Sequence, residues 1–466
     1  MEVSQILEVW GTGGPSSTPF HANTDLPAKN TILYSPESRA LQHCKGEINL
    51  CYQEGKWDDY KKITNPYEYI FLSWNRRSSR SVATRQPLSR SYFKMVELWK
   101  RLDLSNVFRS LSEDGIVTAH AAEGPGGFIE ACATMLERDG LTFQSAKAIT
   151  LRSDAKNVPG WRKAQQFLQR WPMVTIHDGQ DGTGNILLES NQDAFVLSVR
   201  SEHPNGVHFF TADGGFDFSN DYNAQEDSVL PLLLAEMMIG LRVLARGGVC
   251  IVKCFDTFER STQDLLWLAS RAFCEWGLIK PRTSRAGNAE RYFVGKGFLG
   301  GMEDILDVLL AYQRRGTFSY PILKEPVLCD SWKPTIFTIL AMQEMVEHVE
   351  MIVIRQTLDL IQSSNTSDIR NFVQANVLRS IEWCKEHQEE ISPCWTSDLE
   401  RNVARETSDL LHILQPVHSV HTPYAKSSST ITFEGFRSGA STEVSATANP
   451  FMRIKGKFPM VYSKHS

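Results

Sequence analysis

"HAAEGPGGFIEACA", residues His120 to Ala133, places three glycines and a proline where an apolar helix ought to begin. The run before it, "GIVTAHAAE", is apolar and β-prone, and the run after it, "FIEACATMLERDG", carries apolar residues three and four apart. The stretch reads as strand, glycine turn and helix. Glycines at such a turn let the backbone come close to a polar group, and the helix N-terminus behind them favours an anion. The spacing is not G-x-G-x-x-G, so a dinucleotide fingerprint fits poorly. Taken alone, the same residues also suit a tight strand-to-helix turn that holds no ligand.

Outward from that turn, between about Ser81 and Gly300, further strand candidates alternate with helical patterns: "AKAITLRS", "PMVTIHD", "GVHFFTAD", "GVCIVKCF" and "ERYFVGKGF". Such alternation predicts an α/β fold with a doubly wound, mostly parallel sheet. From about Met302 to Gln415 the pattern turns helical, as in "EDILDVLLAYQRR", "TIFTILAMQEMVEHVEMIVIRQTLDLIQ" and "IRNFVQANVLRSIEWCKEH". Residues 1 to about 30 are rich in Gly, Pro, Ser and Thr and read as an arm or loop. These shifts divide the chain into an N-terminal extension (1–80), the α/β domain (81–300), a helical C-terminal region (301–416), and a Ser/Thr-rich linker with a basic tail (417–466). The helical region is a candidate surface for a protein partner.

The 466 residues are 42% hydrophobic and 22% charged, an ordinary globular composition. The net charge of −5 means that nucleic-acid binding would rest on a local basic patch. "MEVSQILEVWGTGG" has neither a basic n-region nor a long apolar core, so no secretory signal is expected. "VLPLLLAEMMIGLRVLA" is broken by Glu236 and Arg242 and is too polar to span a bilayer, which argues against a membrane partner. The nine cysteines include no C-x-x-C pair. They read as reduced, buried thiols of an intracellular protein, nuclear or cytoplasmic, and not as a disulfide framework or a zinc site.

Four polar residues in or beside the apolar strands stand out. Lys253, in "GGVCIVKCFD", follows four apolar residues, where desolvation opposes its charge, although a lysine at a strand end can also snorkel. Asp213, in "HFFTADGGFDF", ends another apolar run, but Asp-Gly is also a common turn signal. Glu290 by itself would pass as a surface acid, and Lys94 as the polar face of an amphipathic helix. In an open α/β sheet, strand C-terminal ends converge on one crevice, which brings Asp213 and Lys253 beside the glycine turn.

Lys94, Asp213, Lys253 and Glu290, in that order and each in its own context, resemble the Lys-Asp-Lys-Glu tetrad of the FtsJ/RrmJ-type RNA ribose 2′-O-methyltransferases. "SRSYFKMVELW" is similar to that family's helix before the cofactor strand, "EGPGGFIE" to its S-adenosylmethionine loop, and "TADGGFD" to its aspartate strand. "LARGGVCIVKCF" is similar to its lysine strand, and "DGQDGTGNIL" to the Asp-Gly-Thr-Gly-Asp-Ile stretch of the cap-directed branch, with Asn185 in place of the second Asp. The resemblance covers roughly residues 85 to 298. It implies a Rossmann-like methyltransferase fold and S-adenosyl-L-methionine as cofactor. Gly124, Pro125, Gly126, Gly127, Phe128, Asp178, Asn185 and Asp213 would bind that cofactor.

The implied reaction moves a methyl from a sulfonium to a ribose hydroxyl and requires no metal. Lys253 could accept the hydroxyl proton only if its pKa fell well below about 10.4. Burial and a neighbouring Lys94 would lower it, while Asp213 and Glu290 would pull the other way and orient the lysines. A basic patch suited to RNA is legible in Arg76, Arg77, Arg80, Arg85 and Arg90, interleaved with Trp74, Tyr92, Phe93 and Trp99, and in Arg285 within a second basic cluster around Glu290. A solvated helix face with a few packed aromatics is the plainer reading of the first cluster. The implied substrate is RNA, with the cap-proximal ribose of mRNA ahead of an internal ribosomal or transfer RNA ribose. A non-catalytic RNA-binding scaffold is the alternative from another class.

Overall fold

Eight strands of the computed structural model make one sheet: β1 (Leu7–Thr12), β2 (Ile116–Ala121), β3 (Phe143–Ile149), β4 (Val174–Ile176), β5 (Val207–Ala212), β6 (Leu244–Cys254), β7 (Phe273–Lys280) and β8 (Arg291–Phe298). The structure describes residues 5–14, 36–53, 56–72, 80–152, 158, 160–215, 225–323 and 332–414. The strand order is β1-β7-β8-β6-β5-β2-β3-β4. The run from β6 to β4 is parallel, whereas β8 is antiparallel to both β6 and β7, and β1 is antiparallel to β7. β2 has β3 on one side and β5 on the other, so the chain reverses direction across the sheet at β2. In open α/β sheets that reversal opens a crevice at the strand C-terminal ends.

Six of these strands coincide with the apolar runs in the sequence, and the helices Ser91–Arg101, Gly127–Arg138, Glu303–Arg314, Trp332–Ser363 and Thr366–Glu386 with its helical patterns. β1 differs, since it lies in the stretch expected to be an arm. Gly11 and Gly13 there mark close backbone approach: a β-carbon on Gly11 would sit 2.8 Å from the Trp276 indole, and one on Gly13 would enter the Phe273 carbonyl.

Side chains alternate between the two faces of a strand, and this alternation gathers the site. Phe209 of β5, Val249 and Ile251 of β6, and Tyr292 and Val294 of β8 pack in one layer with Tyr92, Phe93 and Val96 of the helix Ser91–Arg101. Asp213, Lys253 and Glu290 continue the same alternation. They therefore fall on the face covered by the helix that carries Lys94.

The described residues gather into one compact unit. The Ser/Thr-rich linker and basic tail lie outside the described residues. The helical C-terminal region lays its apolar residues against the rest of its own unit. Ile336, Ile339, Met342 and Val346 join the layer on one side of the sheet, and Val373, Val377 and Trp383 the layer on the other. No helix among the described residues is long and apolar enough to cross a membrane.

Candidate active site

The four polar residues meet in one chain of contacts. Lys94 Nζ lies 2.6 Å from Glu290 Oε1. The Tyr292 hydroxyl donates to Asp213 Oδ1 at 2.9 Å and to Glu290 Oε1 at 3.4 Å. Lys253 Nζ lies 3.3 Å from Asp213 Oδ1 and donates to the Asp213 carbonyl at 2.8 Å. Below them Glu236, buried in the apolar helix Gln225–Val243, accepts from the Gly214 N–H at 3.1 Å.

The electrostatics correct one expectation. Burial pulls the Lys253 ammonium down, but the carboxylates of Asp213, Glu290 and Glu236 outweigh it and leave its pKa raised. Burial pushes the Glu236 carboxyl well above the usual range, so Asp213 and Glu290 carry most of that compensation. Burial also pushes Glu290 up, yet the Lys94 and Lys253 ammonium groups hold it well below the carboxylate range. Lys253 is therefore protonated in the free chain. Lys94 does not unseat its proton because Lys94 is closely paired with Glu290.

The glycine loop joins β2 to the helix Gly127–Arg138. Gly126, just before the helix, has φ +107°, a left-handed value that disfavours a side chain. A β-carbon there would stand 3.3 Å from the Trp161 ring, one on Gly124 would stand 2.9 Å from the Gly160 carbonyl oxygen, and one on Gly127 would enter the Ser89 and Ser91 hydroxyls. Neighbouring chain thus already demands glycine at all three positions. Phe128 is buried against Tyr292, with ring centroids 5.5 Å apart, and ties this loop to the tetrad. Pro125 lines an open cleft of about 710 Å³ together with Arg85, Lys163, Arg170, Phe167 and Trp171.

Just ahead of the loop, Glu123 is buried. Its Oε1 accepts from the Thr211 hydroxyl, while Oε2 faces the His120 ring nitrogen at 3.4 Å without an aligned donor. Burial pushes this carboxyl up, with His120 and Thr211 opposing. Beyond β4, the segment 178–185 braces itself. Gly184 N–H donates to the Asp178 carbonyl at 2.7 Å, Asn191 Oδ1 accepts from the Gln180 N–H at 2.7 Å, and Asn185 Oδ1 accepts from the Leu187 N–H at 3.1 Å. Asp178 Oδ1 is 2.8 Å from Arg152 Nε. Leu151, Leu187 and Leu188 on the flanking loops are exposed.

With this geometry in place, residues 87–298 match the family described as FtsJ-like methyltransferase. The chain carries an FtsJ-like methyltransferase domain. Among curated proteins it is similar to "Cap-specific mRNA (nucleoside-2'-O-)-methyltransferase 1" of Xenopus laevis, 38% identical over 139 residues that cover 29% of this chain and 16% of the frog protein. The human protein of that name is 40% identical over 134 residues, 28% of this chain and 16% of its own length. That of Dictyostelium discoideum is 30% identical over 254 residues, 51% of this chain and 31% of its own length. The chain thus matches less than a third of the length of these relatives.

An FtsJ-like methyltransferase domain implies S-adenosylmethionine as methyl donor, and the residues present fit it. Glu123 Oε2 offers a buried acceptor beside the glycine loop, suited to an ammonium group. The exposed leucines beside segment 178–185 offer apolar surface suited to a flat base.

The arginines expected to meet RNA fall into three groups. Arg76 and Arg77 lie outside the described residues. Arg80 reaches Asp409 at 2.7 Å and Glu406 at 3.5 Å, and Arg90 and Arg285 both close on Glu68, so these three guanidinium groups are engaged inside the fold. Arg85 is 38% exposed, pairs with Glu389 at 3.4 Å, lies over the Tyr92 ring and borders the cleft beside Pro125.

Sequence reasoning passed over Tyr292, Glu236 and Glu123. Tyr292 stands two residues after Glu290 on one strand, so shared facing could have flagged it. Glu236 interrupts an apolar helix, a signal read only as evidence against a membrane span.

Proposed function

We propose that this chain is an S-adenosylmethionine-dependent RNA 2′-O-methyltransferase acting on the first transcribed nucleotides of capped mRNA. The observation that carries the reading is the continuous contact path Lys94–Glu290–Tyr292–Asp213–Lys253, beside a glycine loop at the strand reversal. The names of the relatives support the capped substrate.

Bound S-adenosylmethionine supplies a methyl group on a sulfonium cation. The backbone from Gly124 to Gly127 and the start of the Phe128 helix would receive its carboxylate, Glu123 would hold its ammonium, and Asp178 and Asn185 would hold its nucleoside end. Lys253 takes the proton from the ribose 2′-hydroxyl as the oxygen bonds to the methyl carbon, whose bond to sulfur breaks with its electron pair leaving on the now neutral sulfur. Asp213, aligned by Tyr292, holds Lys253 in place, while Glu290 balances the charge of both lysines. Fixing oxygen and methyl in line supplies much of the rate. RNA runs along the cleft of Arg85, Lys163 and Arg170, with the half-buried Trp171 offered to a base. A capped substrate places the protein in the nucleus or cytoplasm.

Because the acids keep Lys253 protonated, the step must await proton loss. Burial favours that loss, but the neighbouring carboxylates outweigh it, so Lys253 starts from a raised value. The single-turnover rate is expected to rise with pH between about 7 and 9, by up to about tenfold per unit for one proton lost. A flat profile over that range would exclude Lys253 as the base.

The substrate is tested by radiolabelled methyl transfer to capped and uncapped RNAs of otherwise identical sequence. Methylation is expected within the first two nucleotides of a short capped transcript. Without the cap it should be about tenfold slower or more, roughly the loss of one charge-assisted contact. Equal rates with and without the cap, or a methyl found only at internal sites by mass spectrometry of the digested product, would overturn the capped substrate and leave the methyltransferase standing.

A further inference from the structure

Glu68 lies outside the matched segment 87–298, in the single turn Glu68–Ile70, and is 1% exposed. Its carboxylate holds two arginines from different parts of the chain. Arg285 grips it with a fork, Nη2 to Oε1 at 2.9 Å and Nε to Oε2 at 3.1 Å. Arg90 Nη1 lies 3.3 Å from Oε2, and Asn65 donates to the same oxygen at 2.7 Å.

Each arginine belongs to an element that delivers one member of the tetrad. Arg90 immediately precedes the helix Ser91–Arg101, one turn before Lys94. Its other donors go to the carbonyls of Tyr67 at 3.0 Å, Phe71 at 3.2 Å and Thr283 at 3.3 Å. Arg285 sits in the connection between β7 and β8, which ends at Glu290. Asn65 adds a further tie, accepting from the Ala286 N–H at 3.4 Å. The Lys94–Glu290 contact at 2.6 Å therefore spans two elements that meet again at Glu68.

We propose that Glu68 is a positioning residue: it staples the Lys94 helix to the Glu290 connection, so that part of the active-site geometry is supplied from outside the methyltransferase domain. The charge balance agrees. Burial pushes the Glu68 carboxyl up, but the two guanidinium groups outweigh it and hold its pKa down to about 2, so it stays ionised across the working range. A buried anion between two arginines is costly to break, because removing it leaves two like charges uncompensated. The proposal rests on the tetrad being catalytic, and its test includes a readout that does not.

The variant is Glu68→Gln in the full chain, which keeps the side-chain length and removes the charge. Accessibility of Lys94 to an amine-acetylating reagent, read by peptide mass spectrometry, is expected to rise severalfold as its pairing with Glu290 loosens. The turnover rate on capped RNA is expected to fall about 10- to 100-fold, the scale of an ångström-level misplacement, with affinity for S-adenosylmethionine within about twofold of wild type. Wild-type Lys94 labelling in the folded variant overturns the proposal, and so does a loss of cofactor affinity as large as the loss of turnover. Should Glu68→Gln fail to fold, Arg285→Lys keeps the charge and removes the fork. Raised Lys94 labelling in that variant supports the staple, and wild-type labelling overturns it. If the wild-type chain methylates no RNA, the functional reading fails, while the Lys94 labelling still decides the staple.

Discussion

Lys253→Ala should lose about 10²- to 10⁴-fold in methyl transfer, the range that a positioned proton acceptor contributes. Cofactor binding should hold, because the loop and acids assigned to S-adenosylmethionine lie on other elements. Stability should fall, because taking one partner from a buried ion pair leaves the other charge uncompensated. Lys253 is a buried ammonium next to Asp213, so its removal leaves that carboxylate leaning on the Tyr292 hydroxyl at 2.9 Å. The discriminating measurement is single-turnover transfer at saturating cofactor and RNA. A variant that turns over like wild type would move the base elsewhere. A variant that loses turnover and cofactor affinity in equal measure would make Lys253 a binding group.

Gly126→Val should reduce S-adenosylmethionine affinity at least about tenfold and lower stability by about 1–3 kcal/mol. Valine is a poor fit to φ +107°, and backbone strain of that kind carries a cost of this order. Its β-carbon would also press on the Trp161 ring at 3.3 Å. The loop must shift, and the adjacent N–H groups at the start of the helix shift with it. Calorimetric titration of the folded variant reads the affinity, and thermal unfolding reads the strain. Unchanged affinity would place the cofactor away from this loop. Gly140→Val is a useful contrast, because Gly140 also has positive φ but meets no atom within 4 Å. Strain without a loss of affinity there would separate the two causes.

The elements legible in the sequence are those whose signal is local. The apolar runs of β2, β5 and β6 and the helical spacing after Gly127 need no partner to be recognised. β1 was hidden because Gly11 and Gly13 looked like loop residues, whereas they are glycine because Trp276 and Phe273 leave no room. The tetrad was found by the order of its motifs, and its two lysines and two acids do converge. What the motifs concealed was the balance of charge. Lys94 was expected to push on Lys253, but at 2.6 Å it is paired with Glu290, and Asp213 decides the proton on Lys253. Arg90 and Arg285 read as nucleic-acid contacts because the acid that pairs them is far away in sequence. Glu68 is 217 residues from Arg285, a separation at which no spacing rule applies.

The pairing of β1 with β7, from Leu7 opposite Lys280 to Thr12 opposite Glu275, also bears on how the chain assembles. During synthesis β1 emerges long before β7, and its partner does not yet exist. β7 in turn emerges as an open edge, with its outward row of N–H and C=O groups free to pair with any extended segment nearby. The seam closes only when β1 returns across all the chain between them, a contact with a large loop-closure entropy. Sealing the sheet is thus a late event for a growing polypeptide. Bulk fused ahead of Leu7 would ride on the strand that performs it, and the yield of properly folded protein should respond to such a fusion before its catalytic constants do.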